Sequence, residues 1–374
     1  MQSYSLKTTV PFVVLFLGSV IGTPIYLYYR DLTWVAGAMF LLMTVLTLMS
    51  ITAGYHRLFS HKSYQANSLV KFLFLFFGAG AFQESCLKWS AEHRIHHRYV
   101  DTEKDPYNIH QGFFWAHMGW MISGKDPKAP HPKDLVSDPL VMWQHNHWFW
   151  IGLVSGFLFP MVLGYALGDM WGGLFFGGFV RLFVGHHCTF FVNSIAHTFG
   201  TQPYSDETTA RDSWWVALLT FGEGYHNFHH KYPADYRNGI RAYHWDPSKW
   251  LIQILHVVGM TWNLKQTPEE VIMRNKVKTQ FHGLELTKFK ELDALRQQLY
   301  AEMMERLDEF SHSKKAWIEA KKSMAAEKIE QAEKDFEVEI HKLKDKIEHT
   351  RQSYQQSYEA WCLFLQYAQK HLAS

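Results

Sequence analysis

WVAGAMFLLMTVLTLMSITAGYHRLFSH, residues 34–61, runs for twenty positions without a charged side chain and then sets two histidines five apart. The hydrocarbon core of a bilayer takes about 20 mostly apolar residues of helix, so Trp34 to Ala53 reads as a transmembrane helix that delivers His56 and His61 to one membrane face. Three more stretches fit the same template: Val10 to Tyr29, Phe149 to Leu167 and Trp171 to Val192. The connections Arg30 to Thr33 and Gly168 to Met170 are so short that each pair must turn straight back. Two hairpins result, with the N-terminus, the long middle segment and the C-terminal half on one side.

That side carries Arg57, Lys62, Lys71, Arg94, Arg98, Lys125, Lys128 and Lys133 against a lone Arg30 across the membrane, which makes it cytoplasmic by the excess of basic residues. Leu69 to Phe82 is apolar but short for a span, and it lies between two histidine-rich stretches that must share a side. It is expected as a helix buried in the protein or lying at the interface. The first apolar stretch is too long, and too soon followed by a second, for a cleaved signal peptide.

Composition agrees once it is divided. The chain has 374 residues, 47% hydrophobic and 16% aromatic, but apolar residues crowd before about residue 195 and Lys, Glu and Gln dominate after about 265. We therefore expect a membrane domain over 1–275 and a helical, Lys/Glu-rich tail over 276–374. In the tail Phe336, Ile340, Leu343 and Ile347 recur at steps of four and three, the pattern of an amphipathic or coiled-coil helix. The net charge of +2 offers no single-sign field for nucleic acid. Cys86, Cys188 and Cys362 lack CxxC spacing, which argues against a disulfide framework and a thiolate metal site.

Chemistry enters with the 23 histidines. Neutral imidazole is the commonest metal ligand, and helical residues three and four apart share a face, so an HxxHH unit can aim three rings at one point. Two such units occur: His93, His96 and His97 in WSAEHRIHH, and His226, His229 and His230 in GEGYHNFHH. The HxxxxH pair His56 and His61 follows the second span, and His197 in NSIAHTFG follows the fourth, so all four clusters sit at one mouth of the bundle. Nine imidazoles exceed the four to six ligands of one first-row ion, so two metals are implied. Nitrogen donors suit zinc, copper, iron or nickel alike; a pair of ions beside a bilayer suits oxygen activation, which favours iron. His110, His117, His145, His147, His186, His187 and His244 fall outside these clusters and are read as core, interface or supporting residues. His186 and His187 are the ones to watch, because they lie within a span.

Residues from about 5 to 270 resemble the membrane acyl-CoA desaturases of the stearoyl-CoA desaturase type. HRLFSH matches that family's first box, HRIHHRYVDTEKDPYN its second with the trailing acidic segment, GEGYHNFHH its third, and NSIAH the extra segment that brings a histidine and a water-linked asparagine. The resemblance implies an all-α membrane protein whose cytoplasmic helical cap holds two iron ions on His56, His61, His93, His96, His97, His197, His226, His229 and His230, with Asn193 reached through water. It also implies dioxygen as co-substrate and a cis double bond placed in a saturated fatty acyl chain, at the ninth carbon.

Removing hydrogen from an unactivated alkyl chain is beyond side-chain acids and bases, so a redox metal must supply the chemistry. Methylenes are alike, so position must be set by a tunnel of fixed depth. Each buried methylene contributes about 0.8 kcal/mol, and sixteen or so contribute on the order of 10 kcal/mol. By resemblance Gln83, Trp89 and Thr189 shape the bend of that tunnel and Lys125 meets the head group. Gly124 and Ala91, the latter followed by Glu92, stand where the family has basic residues, so CoA is the favoured acyl carrier, with acyl carrier protein or an intact lipid as alternatives. No GxGxxG, HPGG or cysteine cluster is present, so electrons are expected from a separate donor of cytochrome b5 or ferredoxin type and its reductase. Two other readings use the same residues: a histidine-box hydroxylase or monooxygenase, and a metal-transport membrane protein. Transporters place polar ligands near the midplane, whereas most of these lie just outside the spans.

Overall fold

The computed structural model describes residues 6–123, 129–284, 286, 290–326 and 333–372. Two compact units divide between Thr267 and Pro268. The helix Glu269–His282, which straddles residue 275, belongs wholly to the second.

The first unit is an all-α membrane protein with four helices long and apolar enough to cross a bilayer: α1 (Thr9–Tyr29), α2 (Trp34–Ser60), α5 (Pro139–Ala166) and α6 (Met170–His197). Between α2 and α5 lie α3 (Ser68–Ala79) and α4 (Cys86–Tyr99). After α6 come the short α7 (His226–Lys231) and α8 (Pro247–Val257). A two-residue antiparallel pairing joins β1 (Gln65–Ala66) to β2 (Thr261–Trp262), with Gln65 opposite Trp262 and Ala66 opposite Thr261. Val13, Val14, Leu17, Val20, Ile21 and Ile25 are exposed along α1, as an apolar helix facing lipid requires.

Local chemistry sets the helix starts. The side chains of Thr33, Asn67, Ser85, Asp138 and Asp169 each accept a backbone N–H from the first turn of the helix that follows. Asp169 does more, because its other oxygen receives the hydroxyls of Tyr26 (2.8 Å) and Thr33 and so ties together the two hairpin turns. Near that end Gly164 and Gly173 let α5 and α6 touch backbone to backbone: a Cβ on Gly173 would meet the Pro160 carbonyl oxygen at 2.2 Å.

Two spanning helices continue past their apolar stretches. α2 runs seven residues beyond Ala53, and over Ser50–Ser60 its turns widen so that, for example, the His61 N–H bonds to the His56 carbonyl oxygen (3.1 Å). In an ordinary α-helix residues five apart point about 140° away from each other. The wider turn lays them side by side, and the His56 and His61 rings sit 4.8 Å apart.

α3 buries Val70, Phe74, Leu75, Gly78 and Ala79 and leaves Leu69, Phe72 and Leu73 exposed, so the short apolar stretch is a one-faced helix packed on α2 and α5. Below its end the guanidinium of Arg181 on α6 is fully buried and donates to three carbonyls, those of Gly177 (2.8 Å), Gly80 (2.6 Å) and Gly156 (2.6 Å).

The second unit contains α9 (Glu269–His282), α10 (Lys290–Ala326) and α11 (Glu333–Leu372). The last two run antiparallel, as Phe310 against Tyr354 and Tyr300 against Trp361 show. Their core comprises Val277, Met303, Leu307, Phe310, Tyr354, Trp361, Phe364 and Ala368.

Candidate metal centre

α4 opens at Ser85 and presents His93, His96 and His97 within its last two turns, where α7 meets it with His226, His229 and His230. The ends of α2 and α6 add His56, His61 and His197. The nine rings fall into two groups. His56, His61, His93, His97 and His229 form one, His96, His197, His226 and His230 the other, and in each the facing ligand atoms lie within 4.8 Å of one another. His96 and His97 are chain neighbours yet belong to different groups, and the His97 ring stacks on His230 at 4.4 Å and 17°. One helix therefore serves both centres.

Nitrogen faces nitrogen throughout. Nε2 of His56 and His229 are 2.9 Å apart, those of His61 and His93 2.8 Å, those of His229 and His97 3.0 Å, and those of His226 and His197 3.1 Å. Nδ1 of His56 lies 2.9 Å from a Glu223 carboxylate oxygen and Nδ1 of His96 lies 2.8 Å from Asp105, so these nitrogens carry the proton and both Nε2 atoms keep a free lone pair. Nε2 of His96 is buried and has no hydrogen-bond partner among the described residues. Converging lone pairs repel and a cation satisfies them, so the donor set fits two first-row metal ions better than it fits an empty core.

The electrostatics agree. Burial, reinforced by neighbouring imidazoles, holds His61, His93, His97, His226, His229 and His230 below the usual 6.5, which keeps them in the neutral form that binds metal. Burial pushes the Glu223 carboxyl up, but His56 and Arg57 outweigh it and bring it down to about 2. The Asp105 carboxyl follows the same balance, burial being outweighed chiefly by His96.

The three residues expected to shape the tunnel come together as well. Gln83 donates to the Thr189 hydroxyl (2.9 Å) and accepts from the Trp89 indole (3.3 Å), linking α4 to α6 through the turn after α3. A small cavity beside them is lined by Thr47, Leu48, Ala81, Gln83, Arg181 and His186, among others. Asn193 is half-buried on α6, one turn before His197. Lys125 and Gly124 lie outside the described residues. His186 donates through Nε2 to the Ala81 carbonyl (2.8 Å), and His187 pairs with His117 (3.0 Å); neither joins a metal group.

The sequence assigned no place in the site to Glu223, Asp101, Asp105, Arg57 or Thr209. Four of these stand inside the boxes already quoted, so adjacency was their signal; Thr209 offered none.

The family described as fatty acid desaturase matches residues 32–252. The chain is 44% identical over 228 residues to acyl-CoA desaturase 1 of Saccharomyces cerevisiae, an alignment covering 60% of this chain and 45% of that protein. It thus spans about half the length of that yeast relative. It is 33% identical over 254 residues to the sn-1 stearoyl-lipid 9-desaturase of Anabaena variabilis (67% of this chain, 91% of that one) and 32% identical over 243 residues to stearoyl-CoA desaturase 5 of Bos taurus (63% and 72%).

Proposed function

Because this chain belongs to the fatty acid desaturase family, we propose that it is an oxygen-dependent acyl-CoA desaturase that places a cis double bond at the ninth carbon of a saturated fatty acyl chain. The observation that carries the reading is the convergence of nine buried or half-buried imidazoles in two groups beside the Trp89–Gln83–Thr189 bridge. His56, His61, His93, His97 and His229 would hold one iron ion, and His96, His197, His226 and His230 the other, with Asn193 reached through water. Two iron ions with dioxygen as co-substrate would supply the oxidising power that an unactivated C–H bond demands.

The chain's own residues do the rest. Trp89, Gln83 and Thr189 fix the bend of the acyl chain and so the carbons that come opposite the metals. Burial of the rings excludes bulk water from the site. Overall, the acyl chain loses two hydrogens, a donor supplies two electrons, the medium supplies two protons, and dioxygen leaves as two waters. A separate electron-donor protein of cytochrome b5 or ferredoxin type, with its reductase, provides the electrons from the cytoplasmic side. CoA is the carrier we favour on the yeast relative's name, with Lys125 at its phosphates; the Anabaena relative's name shows that lipid-linked acyl groups are handled within the same family.

The test is gas chromatography with mass spectrometry of fatty acids from desaturase-deficient cells expressing this chain, beside a His96→Ala, His97→Ala double variant. A new monounsaturated acid that vanishes in the variant supports the reading. Hydroxylated products would replace it with a hydroxylase.

A further inference from the structure

Two carboxylate systems with no member in common reach the two histidine groups. The first centres on Glu223, whose Oε2 lies 2.9 Å from His56 Nδ1. Glu223 is itself held by Arg57 Nη2 (2.9 Å) and Asn238 Nδ2 (2.7 Å), and Arg57 also pairs with Asp246 (3.0 Å).

The second is built from the DTEKD segment after the second box. Asp105 Oδ1 accepts the N–H of His96 Nδ1 (2.8 Å) and the N–H of Tyr107 (3.0 Å), while its Oδ2 accepts the N–H of Asp101 (3.0 Å). Asp101 adopts the left-handed conformation, φ 63°, uncommon outside glycine, and this turn brings its own carboxylate to Thr209. The Thr209 hydroxyl donates to Asp101 (2.6 Å) and sits 2.8 Å from His197 Nδ1 as its acceptor. The Thr209 N–H donates to the same carboxylate (2.7 Å).

His56 belongs to the five-membered group; His96 and His197 belong to the four-membered one. A partner that fixes the proton on Nδ1 fixes both the ring's orientation and the direction of the Nε2 lone pair. We infer that each group is oriented by its own carboxylates, Glu223 through His56 for one and Asp105 with the Asp101–Thr209 pair through His96 and His197 for the other, so that one metal can be lost while its neighbour stays. Glu223, Asp101, Asp105 and Thr209 are thus positioning residues, and the acidic segment after the second box belongs to one centre alone. The inference rests on reading the two groups as separate metal sites.

The experiment counts metals rather than turnover. Chain purified in detergent is titrated with ferrous iron, and native mass spectrometry resolves species with zero, one and two ions. Asp105→Asn and the nearly isosteric Thr209→Val should give a one-metal species at iron concentrations where the wild type holds two, an affinity loss of about 10–100-fold at one site only. Adding His230→Ala to Asp105→Asn should leave one metal, since both changes strike the same group; adding His229→Ala instead should leave none. Loss of both metals together in Asp105→Asn and Thr209→Val, or retention of both at wild-type affinity, would overturn the inference. A wild-type chain that never binds two ions would instead defeat the underlying reading.

Discussion

Trp89 lies flat against His93, ring centroids 4.8 Å apart and planes 20° from parallel, while its indole N–H reaches Gln83. A residue read as part of the tunnel is therefore in contact with a residue read as a ligand. On the proposed reading, a change in how the acyl chain bends at Trp89 would reach the histidine groups through its ring contacts with His93 and, edge-on, with His56.

Trp89→Leu and Gln83→Leu should loosen the bend without dismantling the fold. Thr189 keeps its bond to the Gly185 carbonyl, so the lost Gln83–Thr189 bond costs about 1 kcal/mol. Product analysis should show double bonds spread over neighbouring positions, with iron content retained. An unchanged product distribution would remove these residues from the tunnel.

His96→Ala and His97→Ala, made singly, should each take turnover below about one hundredth of wild type, beyond the roughly 10–100-fold cost of removing a supporting partner. His147→Ala should behave as wild type, since that ring is exposed and, among the described residues, bonds only to its own helix at Trp143. Equal damage from all three would mean that the groups carry no special chemistry.

Acid should melt the metal-free membrane unit. His61, His93, His97, His226, His229 and His230 titrate below 6.5 when folded. Below about pH 6.5 the unfolded chain takes up protons that the folded chain refuses, so stability falls as pH falls, by up to about 1.4 kcal/mol per pH unit for each histidine, and is flat above it. Thermal unfolding of chelator-treated protein between about pH 5 and pH 8 reads this directly. A melting temperature that rises on acidification contradicts it.

Arg57→Met should destabilise the first unit by about 3–5 kcal/mol, because it strands the buried carboxylates of Glu223 and Asp246 without their cation. Detergent thermal melts would register it as a large drop, and a loss under about 1 kcal/mol would show that water or another cation takes over.

Trp361→Ala should cost the second unit about 3–5 kcal/mol, since that side chain is wholly buried against Phe281, Tyr300 and Phe364. Hydrogen exchange should speed up across α10 and α11. Protection spreading no further than wild type in α2 and α4 is the accompanying expectation.

The spans and six of the nine clustered histidines were legible because each obeys a one-dimensional rule, twenty apolar residues or histidines at helical spacing; His56, His61 and His197 were found by their place just after a span. Hydropathy reports where lipid is, not where a helix stops, so α2 extends past Ala53 to Ser60 and α5 begins at Pro139 instead of near Phe149. The widened turns that align His56 with His61 left no trace in composition. Glu223 and Asp105 stood in plain view within the boxes, but which ring each would meet depends on contacts across 167 and 9 residues of chain, respectively, as the pairs Glu223–His56 and Asp105–His96 show by their numbers. In the tail the visible run of Ile340, Leu343 and Ile347 is only part of the apolar face. The main core forms farther on, at Tyr354, Trp361 and Phe364, where aromatic rings replace the aliphatic repeat.

Arg181 bears on how the protein enters the membrane. An arginine near the middle of an isolated helix costs about 2.5–3.5 kcal/mol on insertion, and its relief here comes partly from the carbonyls of Gly80 and Gly156, on segments synthesised earlier. The last span is thus a poor candidate for solitary release into lipid. Its insertion is favoured once α5 and the segment around Gly80 stand beside it, since their carbonyls then take the guanidinium N–H groups that lipid would leave bare.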